Sequence, residues 1–509
     1  MGALLSGCMN ADSEPDEEKK DVEVNKTGYP IVDEKITLTA VSLSHNGIDW
    51  NDLEYFKQLE ELTNIHIEFT NYGSTQKEKL NLMFASGDFP DLIFGGPTDD
   101  QILQAANGGA IMPLNDLIQE YSPNWQNALD EYSYIRKVIT MNDGEIYSLP
   151  FVNMSEVESG IRDQWLINVK WLEELNLEKP TTTEEFYNVL KAFKDNAGKG
   201  SIPENVIPWY FRFNSYVGGQ FDIFGSFGLL VPTSDYIAVE DGKVLFQAMN
   251  PEIKEPIQYM NKLYEEGLIP STVFTDDWNT YVSKVRSEPP VAGVFGSFYN
   301  SLPEEYEPIS PIKASNVDKP LFRRQLPVIT RSHFTITKNN PYPEASMRLA
   351  DTLADPDWSL QGNYGLYDES LIKREDGKVE MAPDWDESEL YKSVPSNLSN
   401  LLITPEVNDK LIVSGQRKER LDTINEYYKD YVVSVDQLYP QVMYTPEQNQ
   451  RLSSLQTDIM NYVNQTLAKW ITEGGIDEEW DEYIERLEAM NVDEMIQIRQ
   501  DALNQFNSK

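Results

Sequence analysis

The 509-residue chain carries 84 acidic against 42 basic residues, a formal charge of −42. That excess argues against a nucleic-acid binder, which needs a basic footprint. No uninterrupted apolar run reaches the roughly 18 residues of a membrane span, and with 40% apolar residues the chain should fold as two or more domains.

Cys8 is the single cysteine, so no intrachain disulfide can form. Leu5-Ser6-Gly7-Cys8 resembles a bacterial lipobox, where a signal peptide is cut and the new N-terminal cysteine takes lipid. Residues 1–8 therefore read as a signal-peptide remnant with its lipobox, and lipid on Cys8 would hold the protein on the outer face of the cytoplasmic membrane. Residues 9–30 are polar and acidic and are expected to form a disordered leash.

Beyond the leash, Ile36, Leu38 and Ala40 alternate with polar residues as in a half-buried strand. Leu53, Phe56, Leu59 and Leu62 follow at helical spacing, then Ile65, Ile67 and Phe69 alternate again. Leu80, Met83 and Phe84 mark a second helix, which Gly87 can end in a left-handed cap. The run Leu92-Ile93-Phe94 completes strand–helix–strand–helix–strand, the pattern of a largely parallel sheet covered by helices. Leu166, Val169, Leu172 and Leu175 are spaced for another helix. Thr182 and Glu185 form a capping-box pattern ahead of Phe186, Val189, Leu190 and Phe193. The last third is mostly helical: Leu452, Leu455, Ile459, Val463 and Leu467 mark one long face, and Trp480, Tyr483, Ile484 and Leu487 another.

Several segments resemble one known family in collinear order. They are Glu78 to Asp91 (EKLNLMFASGDFPD), Gly109 to Leu114 (GAIMPL), Asp143 to Pro150 (DGEIYSLP), Arg162 to Phe193, and Trp480 to Tyr483 (WDEY). Together they resemble the extracellular solute-binding proteins of ABC importers, in the branch of large Gram-positive lipoproteins that includes alginate-oligosaccharide binders and LplA-like lipoproteins. The resemblance implies an α/β fold of the type II periplasmic-binding-protein class, with two lobes, a hinge and extra C-terminal helices. It implies no catalysis, an oligosaccharide ligand between the lobes, and permease subunits as partners. On this reading residues 31–155 with about 300–355 form the first lobe, and 156–299 with about 356–509 form a second, more helical one.

The alginate binders carry an EF-hand-like calcium loop after the helix that matches Glu185 to Phe193. Here Ala197, Lys199 and Pro203 stand at alternate positions where oxygen donors are expected. Calcium needs six to eight oxygens, so the site is expected to be lost and no metal or cofactor is anticipated. Gly198-Lys199-Gly200-Ser201 lacks the glycine spacing of a phosphate loop. The three histidines, His45, His66 and His333, show no zinc or triad spacing. A secreted carbohydrate-active enzyme needs only two carboxylates at a set separation, which remains the alternative of another class.

Sugar rings lie flat on aromatic rings while their edge hydroxyls need polar partners. Candidate ligand-binding residues are therefore sought in aromatic–polar clusters. Asn46 and Trp50, and Phe298, Tyr299 and Asn300, follow strands; Trp209, Tyr210 and Arg212 lie in a stretch without clear periodicity, and Trp278 follows a helix; Tyr364 and Tyr367 stand where the resembled family has a Gly- and Tyr-rich cleft segment, and Arg162 belongs to its collinear motif. A neutral β-linked oligosaccharide is favoured slightly over a uronate-containing sugar or a peptide. An anionic sugar would want cations, and Arg162, Arg212, Arg323, Arg324 and Arg331 are available.

Overall fold

The first strand, β1 (Ile36–Ser42), buries Ile36, Leu38 and Ala40, as their alternation predicts. The computed structural model describes residues 22–43, 47–154, 160–161, 163–297, 304–383 and 390–509. Helix Glu54–Thr63 follows and returns the chain to β2 (Ile65–Asn71), which pairs parallel with β1 along its whole length. Helix Gln76–Ser86 ends at Gly87, whose φ of 72° lets its N–H reach the Met83 carbonyl at 3.0 Å. Next come β3 (Leu92–Phe94) and, after four helices, β4 (Leu149–Asn153).

The chain then crosses to a second sheet, made of β5 (Gln164–Asn168), β6 (Ile207–Tyr210), and, after the β7–β8 ribbon (Ile237–Glu240, Lys243–Phe246), β9 (Ala292–Ser297) and β10 (Tyr306–Pro308). It recrosses as β11 (Val328–Ile336), which lies between β4 and β3. A small three-stranded sheet of β12 (Leu371–Lys373), β13 (Val379–Met381) and β15 (Leu411–Ile412) flanks β14 (Leu402–Ile403), the edge strand of the first sheet. The sheet orders are β14-β4-β11-β3-β1-β2 and β10-β5-β9-β6. Each is covered by helices over its own apolar core, so the fold is two-lobed α/β.

Helix Thr183–Asp195 starts with both capping-box bonds: Glu185 N–H donates to Thr182 Oγ1 at 3.1 Å, and Thr182 N–H donates to Glu185 Oε2 at 3.2 Å. Helix Pro446–Glu473 buries Leu452, Leu455, Ile459, Val463 and Leu467 against the second lobe. The last helix, Val492–Ser508, spans both lobes, with Met495 and Leu503 in the second core and Ala502 and Phe506 in the first.

The boundaries differ from the sequence reading in three places. Residues 22–30 are not leash: Val24 bridges to Val32, and Arg348 donates to the carbonyls of Asn25 and Gly28, each at 3.2 Å. The segment around β10 stays in the second lobe, because Tyr306 to Pro308 pair with Asn168 to Leu166. Residues from about 356 to 412 belong with the first lobe, because β14 adds to the free edge of β4 and helix Pro356–Tyr364 packs on it. Strands of two or three residues are too short to show a period. Leu166 likewise lies in β5 and not in the helix, which begins only at Val169.

Among the described residues the chain passes between the lobes from β4 to β5, between Phe322 and Val328, and again between Ile412 and Pro446. These crossings are stitched together. Gln325 N–H donates to the Gly160 carbonyl at 2.5 Å, and Phe322 exchanges bonds with Tyr431 and Val433 at 2.9 and 3.1 Å. Asn153 pairs with Val328, and Ser297 with Gln164. The final residues of β4 and β9 therefore sit beside crossings, and the carboxyl ends of strands in both lobes meet at the hinge. Open α/β sheets take ligands at such ends.

Candidate functional site

The parallel strands β6 and β9 place Tyr210 beside Phe295, so the chain leaving β6 emerges at the hinge. Consecutive strand residues point to opposite faces, and that alternation separates Trp209 from Tyr210. Trp209 turns into the core against Trp165, Phe186 and Phe211, at centroid distances of 5.9, 5.6 and 4.7 Å. Only 2% of it is exposed. The expectation that Trp209 stands in a cleft loop is thus corrected: it is a strand residue whose ring is covered by its neighbours.

Tyr210 instead begins a stack. Its ring lies 5.0 Å from Tyr281 at an interplanar angle of 24°, and Tyr281 lies 6.0 Å from Trp278 at 21°. The Arg212 guanidinium sits 5.5 Å from the Trp278 ring centroid, within cation–π range. Tyr210 and Tyr281 are buried, whereas Trp278 and Arg212 are half-buried, so the stack grades from the core outward. Trp278 and Tyr281 share helix Trp278–Val285, one turn apart. Asp277 caps that helix by accepting from Thr280 N–H at 2.8 Å. This bond holds the Asp277 carboxyl below its usual range, and the charge of Arg212 adds to it.

Polar ties fix the stack. Tyr210 Oη donates to Asp276 Oδ2 at 2.6 Å, and Lys284 Nζ donates to the same oxygen at 2.5 Å. Burial alone would raise the Asp276 carboxyl, but the bonds from Lys284 and Tyr210 hold it below the normal value. Tyr281 Oη donates to the Gly296 carbonyl at 2.6 Å. Gly218 packs against that phenol with φ +64°, and a Cβ there would approach the Tyr281 ring within 2.7 Å. Only glycine fits there. Arg212 Nη1 donates to Ser215 Oγ at 3.0 Å, while Arg212 Nε has no hydrogen-bond partner among the described residues.

Beside the stack, Arg323 binds Asp222 through two bonds of 2.8 and 2.9 Å, with Asp163 at 3.9 Å. Burial would lower the guanidinium, but the two carboxylates more than offset it and hold it charged. Asp163 also accepts from Gly218 N–H at 2.8 Å. Arg323 is therefore committed to tying the second crossing to the second lobe. Arg331 is equally committed, to Asp99 at 2.7 Å and to the carbonyls of Val138 and Gln441 at 2.7 and 2.5 Å.

In the first lobe, Trp50 is 2% exposed and packs against Phe56, Phe69 and Phe94 at 5.2 to 5.8 Å. It is a core plug beneath a polar network in which Asn71 accepts from Trp50 N–H at 3.1 Å and donates to Asp49 at 2.6 Å. Tyr364 is buried in the small cluster under the three-stranded sheet. Tyr367 is half-buried there, with its hydroxyl 3.2 Å from Asp357 and Lys373 4.2 Å above its ring. Asn46, Arg162, Phe298, Tyr299, Asn300 and Cys8 lie outside the described residues. Tyr281 and Gly218 were not singled out from the sequence. The aromatic pair at i, i+3 in Trp278 and Tyr281 was the available signal.

The loop after helix Thr183–Asp195 does not fit calcium. Lys199 Nζ donates to the Asp195 carbonyl at 3.3 Å and to Asn196 Oδ1 at 3.1 Å, so an ammonium meets oxygens a cation would use. Glu174 reaches over to accept from Ser201 N–H at 2.9 Å, which holds its carboxyl below the usual value.

Two lobes joined through a hinge, each an α/β sheet with its own core, define the class of two-lobed solute-binding folds. Residues 52–359 match the bacterial extracellular solute-binding protein family, and the chain belongs to that family. It is 30% identical to a fructooligosaccharide ABC transporter substrate-binding protein, FusA, of Streptococcus pneumoniae, over 99% of this chain and 96% of the relative. A solved structure of S. pneumoniae FusA in complex with kestose superposes with a TM-score of 0.78, covering 93% of this chain and all of that one. A polygalacturonan/rhamnogalacturonan-binding protein of Bacillus subtilis, YtcQ, is 27% identical over 52% of this chain and 49% of the relative.

Proposed function

We propose that this protein is the oligosaccharide-binding subunit of an ABC importer, capturing a neutral sugar of the fructooligosaccharide class between its lobes and handing it to a permease. The observation that carries this reading is the graded stack of Tyr210, Tyr281 and Trp278 with Arg212 at the hinge. On this reading Trp278 carries a sugar ring, and Arg212, Ser215 and Asp277 take its edge hydroxyls. The full-length likeness to a fructooligosaccharide binder supports that ligand class. Tyr367, Asn46, Arg162 and Phe298 to Asn300 remain proposed contacts from other parts of the cleft.

The protein is proposed to bind without transforming its ligand, in keeping with the binding proteins it resembles. Lipid on Cys8 is the proposed anchor. No helix among the described residues is long and apolar enough to cross a membrane. A uronate-containing ligand is the second reading, supported by the half-buried cation of Arg212 and by the likeness to YtcQ.

Calorimetric titration with kestose, longer fructooligosaccharides and galacturonate oligomers tests both readings. A saturable one-to-one isotherm with the fructans, and intact sugar recovered afterwards, is expected. Binding of galacturonate oligomers alone would replace the first reading with the second, and release of shorter sugars would turn the assignment to an enzyme.

A further inference from the structure

Helix Val492–Ser508 buries one stripe, Val492, Met495, Arg499, Ala502, Leu503 and Phe506, at the three- and four-residue spacing of a single helix face. A surface helix uses such a stripe to cover one core, but this one serves two. Val492, Met495 and Leu503 lie in the core of the second lobe, whereas Ala502 and Phe506 lie in that of the first. The change of core falls just beyond Arg499. That side chain is only 6% exposed, pairs with Asp235 at 3.1 Å and donates to Gln456 Oε1 at 3.2 Å. Its carbonyl accepts from Tyr439 Oη at 2.8 Å, and Tyr439 Oη lies 3.0 Å from Tyr444 Oη. Both tyrosines pack against both cores. The helix therefore passes the hinge at Arg499, tied there to a segment that joins the lobes.

Its two ends are held unequally. Toward the second lobe, Arg451 grips Glu494 through two bonds, Val244 N–H donates to Gln500 Oε1 at 2.8 Å, and Gln500 Nε2 donates to the Gly242 carbonyl at 3.0 Å. Toward the first lobe, the Phe506 ring meets Tyr134 edge-on at 5.9 Å, with Lys137 Nζ 5.7 Å from its centroid. Lys137 Nζ also donates to the Asn507 carbonyl at 3.4 Å, and Lys509 Nζ donates to the Thr140 carbonyl at 2.5 Å. Phe506 is thus the one large apolar side chain that the helix seats in the first lobe, and a few polar bonds surround it.

Two turns separate Phe506 from Arg499, roughly 10 Å along the axis. A rotation of about 15° across that axis would carry the ring through roughly 3 Å. Packed side chains lose contact once a gap of about 1 Å opens. We propose that Phe506 and the turn around it form a latch between the lobes. The helix rides with the second lobe, and the seat of Phe506 in the first resists rotation away from the angle seen here, so bending the hinge requires unseating that ring. The latch follows from the two cores and their shared helix and does not depend on which ligand is bound.

The test is a pulsed electron-spin distance measurement between the lobes. Labels are placed on the full chain at Lys57→Cys and Asn188→Cys, both exposed, with the native cysteine removed as Cys8→Ser. Without ligand, Phe506→Ala should widen the interlobe distance distribution by several ångström relative to the chain that keeps Phe506. Met495→Ala empties the second-lobe end of the same helix, and it should lower the melting temperature while leaving the distribution as it was. Phe506→Leu keeps most of the buried volume, should widen the distribution less, and carries the test if Phe506→Ala does not fold. An unchanged distribution in a folded Phe506 variant overturns the latch and leaves Phe506 as an ordinary core residue. Equal widening in Met495→Ala overturns it too, because loosening the helix anywhere would then be enough.

Discussion

Trp209 and Trp278 stand in the same lobe and face opposite fates. Trp209 sits within β6, where strand alternation turns it onto a helix-covered face among Trp165, Phe186 and Phe211. Trp278 opens a helix, half-buried, with Tyr281 on one turn and Arg212 nearby. Both were attractive from sequence because each is an aromatic among polar residues. What separates them is which side of an element they occupy, and an aromatic-rich segment does not reveal this unless its periodicity is readable.

The contrast can be broken experimentally. The largest effect is expected from Trp209→Ala, which empties the core and should lower the unfolding free energy of the second lobe by about 3–5 kcal/mol. Thermal or denaturant unfolding checks this, and a loss below about 1 kcal/mol would mean that Trp209 is not the core residue described. A smaller effect is expected from the tie beneath the stack. Asp276 is held below its ordinary carboxyl range, so its folded form favours ionisation. Its contribution should be present above the usual carboxylate pKa and disappear as pH falls through the depressed value. Ligand affinity should accordingly stay level from neutral into mildly acidic solution and drop only below the normal carboxylate range. Asp276→Asn should weaken binding even at neutral pH. The smallest effect is expected from calcium. With Lys199 donating to Asp195 and Asn196, calcium or a chelator should leave the melting temperature unchanged, and a chelator-sensitive shift would contradict that account of the loop.

Much of the fold was legible because its elements are long enough to show a period. The alternation of Ile36, Leu38 and Ala40, the Thr182–Glu185 box and the Leu452 to Leu467 face all lie where their spacing places them. Lobe boundaries were less legible. Strands β10 and β14 contain too few residues to carry a pattern, and their membership follows from sheet edges that only the fold creates. The candidate cluster was legible in part. Arg212, Tyr210 and Trp278 come together as a cluster, whereas Trp50, Trp209 and Tyr364 are core residues whose surroundings are built by distant segments. Tyr281 escaped notice because its role depends on Gly218 and Gly296, which approach it from other elements.

Trp278 is the proposed sugar platform. Calorimetric titration of kestose into the wild type and Trp278→Ala, with melting temperatures measured on the same samples, tests it most directly. Truncating an aromatic hot spot costs about 2 kcal/mol or more, so binding should weaken by roughly thirtyfold while the melting temperature changes little. Unchanged affinity in a folded Trp278→Ala variant would contradict the claim.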